Sequence, residues 1–294
     1  MSCAICPRDC HALRSLHQGE GYCRAGTLPL VAHVRRHMWE EPCISGSRGS
    51  GTVFFSGCAL GCVYCQNYAI SHRLMGKSHT ARELAALFMR LAETGVHNIN
   101  LVNPTHFTPA IAEALEIARL PIPVVWNSSG YERADTLRTL DGLVQIYLPD
   151  LKHISPDIAR ICANAPDYSA HAQTALLEMN RQHGAPVYDE HGLMTSGLMV
   201  RHLVLPGCTS DSINVLNFIA ESLPEGTPVS LMGQYTPYGQ AKEISGLDRI
   251  LTAREYRRVI SHMQALSLPG YCQKQGAADE TFIPDFSDDP LGIL

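Results

Sequence analysis

The sequence predicts an α/β fold built on a parallel sheet, curled partly or wholly into a barrel in preference to a doubly wound layer. Three observations carry this: six short β-like runs in series, helical patterns between them, and polar segments placed just after the runs. The strand candidates are Thr52–Ser56, Asn98–Val102, Pro123–Asn127, Leu143–Leu148, Leu198–Leu205 and Pro228–Met232, each β-branched or aromatic and bounded by Gly, Pro, Asn or Asp. Their near-continuous apolar character suits strands covered by helices. Period alone does not separate a barrel from a doubly wound sheet, but both place ligand chemistry at the C-terminal strand ends.

The clearest helix is Thr80–Thr94. Thr80 is an N-cap, Glu83 completes a capping box, and Leu84, Leu87, Phe88 and Leu91 form an apolar face before Gly95. Pro109–Leu120, Pro156–Ala163, Tyr168–Gln182, Asp211–Ser222 and Thr252–Leu266 repeat the pattern more weakly. Ser45–Gly51 (SGSRGSG) is the one flexible-looking boundary. It divides a Cys-rich N-terminal metal-binding segment, 1–45, from a core, 46–294, whose last stretch, Gly270–Leu294, reads as an irregular tail.

The 294 residues are 45% hydrophobic and 17% charged, enough for one large core. No apolar run approaches the roughly 18 residues of a membrane span, and the N-terminus lacks the apolar stretch of a secretory signal, so a cytoplasmic protein is expected. The formal net charge of −5, with Lys and Arg scattered, argues against a nucleic-acid partner.

Cysteine usage carries the chemistry. Eight of the eleven cysteines lie within the first 65 residues, a density that in a reducing compartment signals metal ligation over disulfides. Cys162 and Cys208 are isolated and read as buried, inert thiols. Residues 53–68, VFFSGCALGCVYCQNY, place Cys58, Cys62 and Cys65 just after the first strand. So short a loop brings three thiolates to one [4Fe–4S] cubane and leaves the fourth iron open to a small molecule. Gly57 and Gly61 allow tight turns. A structural zinc would want a fourth ligand, for which Cys43 is the nearest source in three dimensions.

The CxxxCxxC spacing, with Tyr64 before its last cysteine, resembles the signature of the radical S-adenosylmethionine (radical SAM) superfamily. The wider pattern SGCxLxCxYCQN, NLVxPTHF, NSSGYE, YLPDLK, RHLVLPG and MGQYTP is similar to the pyruvate formate-lyase activating enzyme-related proteins, over roughly residues 1 to 240. The resemblance implies a partial (β/α)6 TIM-like barrel. It also implies a [4Fe–4S] cluster whose open iron chelates S-adenosylmethionine, and reductive cleavage to a 5′-deoxyadenosyl radical that abstracts hydrogen from a substrate. Orientation and the exclusion of water fall to the protein. An activating-enzyme type of radical SAM oxidoreductase is thus expected, with a reductant protein such as flavodoxin or ferredoxin and a protein substrate, foremost a glycyl radical enzyme.

By the same resemblance Asn103 and Thr105, beside Pro104, occupy the strand end that contacts the cosubstrate amino group, although the family's common Gly-Gly-Glu is absent. Ser128 and Ser129 are candidates for the ribose or carboxylate, or equally for a helix cap. Asp150 and Lys152 stand after the fourth strand as ligand-binding groups or an ion pair. Arg201 is a fork-shaped donor for the cosubstrate carboxylate, or a surface pair.

Cys3, Cys6, Cys10 and Cys23 form a second group, C-x2-C-x3-C-x12-C, with the ligand count for zinc or an auxiliary Fe–S cluster. Two other functions use the same residues. One is radical modification of a small molecule or peptide in a pocket lined by Tyr235 and Tyr238; the other is a non-catalytic iron–sulfur carrier or scaffold.

Overall fold

The computed structural model describes residues 3–273. In chain order the elements are β1 (Leu30–His37), α1 (Pro42–Ser45), β2 (Ser50–Phe55), α2 (Tyr68–His72), β3 (Lys77–Ser78), α3 (Ala81–Glu93), β4 (Ile99–Val102), α4 (Thr108–Ala118), β5 (Val124–Ser128), α5 (Ala134–Arg138), β6 (Ile146–Pro149), α6 (Pro156–Ala163), α7 (Tyr168–His183), β7 (Val187–Tyr188), β8 (Met194–Leu198), β9 (Val200–Leu203), α8 (Thr209–Ser222), β10 (Val229–Met232), α9 (Ala253–Ala265) and β11 (Gly270–Cys272). Among the described residues no helix is long and apolar enough to cross a membrane.

Strands β2, β4, β5, β6 and β8 pair in parallel, as do β9, β10 and β11. A bridge from Asp150 to Arg201 joins the two sheets beyond β6, so β8 and β9 act as one strand broken at Met199. This is a mixed α/β fold built on a parallel sheet, in keeping with the partial barrel expected from the sequence. All six expected strands are present. The Leu143–Leu148 run starts its strand late, because Leu143 and Val144 close a turn on the Leu140 carbonyl.

Strands β2, β4 and β6 are buried throughout, as helices on one side and the barrel interior on the other require. Helix α3 begins as expected: Thr80 Oγ1 accepts from the Glu83 amide and Glu83 reaches back to the Thr80 amide at 2.8 Å. Helix α9 repeats the device with Thr252 and Glu255.

Three features depart from the sequence reading. β1, in the Cys-rich stretch, pairs antiparallel with β2 and extends the sheet. Ser45 and Ser50, at the flexible-looking boundary, are buried, Ser50 Oγ donating to Asn98 Oδ1 at 2.6 Å. The expected tail begins as β11, beside β10; its remainder lies outside the described residues.

Candidate functional site

A cavity of about 510 Å³ opens at the C-terminal ends of the parallel strands. Its wall takes Cys58, Cys62, Tyr64 and Cys65 from the loop after β2, and Asn103 from beyond β4. Ser128 and Ser129 come from the end of β5, and Asp150 and Lys152 from beyond β6. Arg201 of β9 and Glu40 and Glu41 of the β1–α1 loop close its far side. The strand ends bring these residues together: Asn103, Ser129 and Asp150 each directly follow the last residue of their strand, and the cysteine loop follows β2.

The loop from Cys58 to Cys65 is shaped by its own backbone. Gly57 and Gly61 have φ of +81° and +68°, left-handed values that glycine adopts without penalty. A Cβ on Gly57 would lie 2.8 Å from the Cys23 carbonyl oxygen. The amides of Leu60 and Gly61 point at Cys58 Sγ, at 3.3 and 3.4 Å, and Ser71 Oγ donates to Cys65 Sγ at 3.5 Å. Burial pushes the Cys62 and Cys65 thiols up, the latter to about 11, while the Lys152 charge pulls both down. Left to themselves these thiols stay protonated, so a metal must supply the drive to ionise them.

Among the described residues no three or more His, Cys, Asp or Glu side chains form a group that could hold a metal ion. A cubane makes a different demand, because it spreads its thiolates over separate iron corners. Three cysteines within eight residues, with N–H and O–H donors aimed at two of their sulfurs, fit that larger object. Cys43 does not join them: it is buried in a separate core cluster with Ile44, Val125, Ile146 and Leu148. Cys162 is likewise a core thiol, raised to about 12 by burial.

The other predicted positions divide. Asn103 sits at φ +60° and its Nδ2 donates to the Phe55 and Gly57 carbonyls, holding β4 against the cysteine loop. Ser128 and Ser129 line the cavity, although the Ser128 hydroxyl donates to Glu132 at 2.7 Å. Thr105 is buried and is not among the lining residues; it donates to the same Glu132 at 2.9 Å. Lys152 and Asp150 form an ion pair at 2.5 Å on the wall. The Arg201 fork is already engaged: Nε donates to Glu41 at 2.8 Å and Nη2 to both Glu41 and Glu40. Neither Tyr235 nor Tyr238 lines the cavity; Tyr235 is a core residue bonded to the Leu247 carbonyl, and Tyr238 packs edge-on to Tyr68.

Sequence reasoning missed a buried chain behind Tyr64. Its hydroxyl meets His153 Nε2 at 3.2 Å, His153 Nδ1 faces Asp211 at 3.5 Å, and Asp211 accepts from the amides of Ile154 and Ser155. Burial lowers the His153 pKa, against the opposing pull of Asp211. The signal lay in HIS after the fourth strand, but its partner is 58 positions further on. Glu132, which accepts from Trp126, Thr105 and Ser128, was also missed; desolvation raises it against those three donors.

The sequence profile of the Radical SAM superfamily matches residues 52–213, more than half of the chain. An uncharacterized protein of Methanocaldococcus jannaschii is 26% identical over 279 residues, covering 91% of this chain and 75% of that protein. SuiB of Streptococcus suis bound to S-adenosylmethionine is similar in structure, with TM-score 0.51 and 14% identity over 75% of this chain and 49% of that one. SuiB bound to its precursor peptide SuiA gives 0.53 and 13%, over 75% and 47%. The chain thus spans about half the length of SuiB, and this likeness concerns the fold.

Proposed function

The chain belongs to the radical SAM superfamily, and on that premise we propose that Cys58, Cys62 and Cys65 hold its [4Fe–4S] cluster at the strand-end cavity. Membership implies the cluster, S-adenosylmethionine and a reductant. The observation that carries the assignment is the three-thiol loop opening on a cavity whose wall also takes Asn103, Ser128, Ser129, Asp150 and Lys152 from the strand ends. When bound, the reduced cluster supplies the electron that breaks a sulfonium C–S bond of the cosubstrate.

The chain's own residues set the conditions. Leu60 and Gly61 amides and the Ser71 hydroxyl stabilise thiolate charge. Tyr64, fixed by His153, presents its ring beside the last cysteine. Asn103, Ser128, Ser129, Asp150 and Lys152 line the volume left for the cosubstrate. Thr105 positions Ser128 through Glu132, and Arg201 positions the far wall through Glu40 and Glu41.

The substrate is a protein or peptide, with the backbone glycine of a glycyl radical enzyme as the first candidate. The cavity supports this, for Trp39 lines it and is 75% exposed, an amphipathic side chain against which a macromolecule can dock. Reduced enzyme, cosubstrate and partner should together give a protein-based radical signal. Only uncoupled 5′-deoxyadenosine with every protein or peptide tried, or transfer of deuterium from a labelled metabolite, argues against it. Cys3, Cys6, Cys10 and Cys23 hold a second metal centre under this proposal.

A further inference from the structure

Arg8, in the N-terminal segment, is bonded to the backbone of the cysteine loop. Its Nε donates to the Ala59 carbonyl at 2.8 Å and its Nη2 to the Leu60 carbonyl at 3.2 Å. The same fork reaches the end of α6, where Nη2 donates to the Ala163 carbonyl at 3.1 Å and Nη1 to the Asn164 carbonyl at 2.6 Å. Carbonyls at the negative end of a helix keep a cation in place. The guanidinium carbon lies 3.9 Å from the centre of the Tyr22 ring and 5.5 Å from that of Tyr131. The Tyr22 hydroxyl also donates to the Leu60 carbonyl, at 3.2 Å. Gly61 leaves room for that approach, since a Cβ there would lie 3.0 Å from the Tyr22 hydroxyl oxygen.

The Ala59 carbonyl and the Leu60 amide belong to one peptide unit, and the Leu60 carbonyl and the Gly61 amide to the next. These are the two amides that donate to Cys58 Sγ, at 3.3 and 3.4 Å. Each unit therefore takes the Arg8 fork at its oxygen and offers its N–H to the sulfur. A cation on a carbonyl oxygen draws electron density along the amide and strengthens the bond that the N–H donates. Hydrogen bonds chained in this way reinforce one another by about 10–30% each. The loop cannot drift from the fork, because the Val63 amide donates to the Cys162 carbonyl of α6 at 2.9 Å.

We propose that Arg8 is a positioning residue for the iron site: it aims two peptide units at Cys58 Sγ and relays its charge through them, raising the potential at which a cluster on Cys58, Cys62 and Cys65 accepts an electron. The direction follows from charge. One-electron reduction adds a negative charge to the cluster and its thiolates, so donors reinforced by a cation stabilise the reduced state more than the oxidised one. The inference rests on the cluster proposed above, while the relay is made entirely of this chain's own groups.

The full chain, reconstituted anaerobically, is titrated with dithionite and followed on the paramagnetic signal that S-adenosylmethionine perturbs, with iron counted in parallel. In Arg8→Gln, which keeps a neutral donor and loses the charge, the equilibrium should shift about tenfold toward the oxidised cluster at unchanged iron content. For one electron that is about 59 mV. Arg8→Lys should recover most of the shift, a rescue that packing alone does not give, since an ammonium lacks the planar fork that spans these carbonyls. Tyr22→Phe removes one donor from the Leu60 carbonyl and keeps the ring, so a shift of about threefold in the same direction is expected. An unmoved potential in Arg8→Gln, or in Tyr22→Phe should Arg8→Gln hold no iron, overturns the inference. So does an Arg8→Lys potential displaced as far as that of Arg8→Gln. A wild type that assembles no cluster on the three cysteines overturns the function proposed above and this inference with it, and the iron count tells that result from an unmoved potential.

Discussion

Replacing Arg201 by Met tests how the far wall of the cavity is held. Arg201, Glu40 and Glu41 have side chains only 12%, 9% and 6% exposed. Burial alone pushes the Glu41 carboxyl up, but the Arg201 charge and hydrogen bonds, with one from Ser230, hold it net below its usual 4.5. Removing the cation leaves two buried carboxylates side by side, a change that costs about 3–5 kcal/mol. At roughly 2–3 °C per kcal/mol for a chain of this size, the melting temperature should fall by ~10 °C. The sign of the pH dependence follows. In the wild type the Glu41 contribution is complete above pH 4.5 and is lost as pH falls through the lower folded value. In the variant burial is unopposed and the folded pKa rises, so the penalty is greatest at neutral pH and shrinks on acidification. Far-UV dichroism melts at pH 7.5 and pH 5 should therefore show a wider gap between variant and wild type at the higher pH. A melting point within about 2 °C of wild type at pH 7.5, or a gap that widens at pH 5, would refute the clamp.

Gly57→Ala forces a side chain into left-handed backbone and against the Cys23 carbonyl, which should cost about 1–2 kcal/mol and speed tryptic cleavage N-terminal to β1; unchanged digestion would contradict that contact. His153→Phe strands the buried Tyr64 hydroxyl, with an expected loss of about 1–3 kcal/mol and weaker cosubstrate binding at unchanged iron content, read by calorimetry. Burial lowers His106 and His202 from 6.5 to about 4, so the folded state resists protonating them. Stability from these two should be complete above pH 6.5 and fall as pH drops toward 4, by about 3 kcal/mol each. Urea titrations of wild type and His202→Asn should show the variant losing less over that window.

Local signals were legible in the sequence because they are carried by neighbours. The capping box of Thr80, the identical bounds of Pro156–Ala163 and the cysteine loop all depend on residues within a few positions. β1 escaped notice because its pattern, LVAHVRRH, mixes charge into a strand whose partner is β2 rather than a following helix. Asn103, Asp150 and Lys152 reached the cavity because strand ends converge in any parallel barrel. Thr105 and the Ser128 hydroxyl turned inward because Glu132, a buried carboxylate, needed donors that spacing could not reveal. Arg201 found Glu40 and Glu41 some 160 positions away, beyond any periodicity.

The most direct trial of the catalytic account is spectroscopic. Reduced, anaerobically reconstituted protein should give a cluster paramagnetic signal that changes when S-adenosylmethionine is added, followed by methionine and 5′-deoxyadenosine in equal amounts. Cys62→Ala should abolish both. A loop-bound signal that is indifferent to the cosubstrate, or cleavage that survives in Cys62→Ala, would mean that the three thiolates do not leave an iron open there.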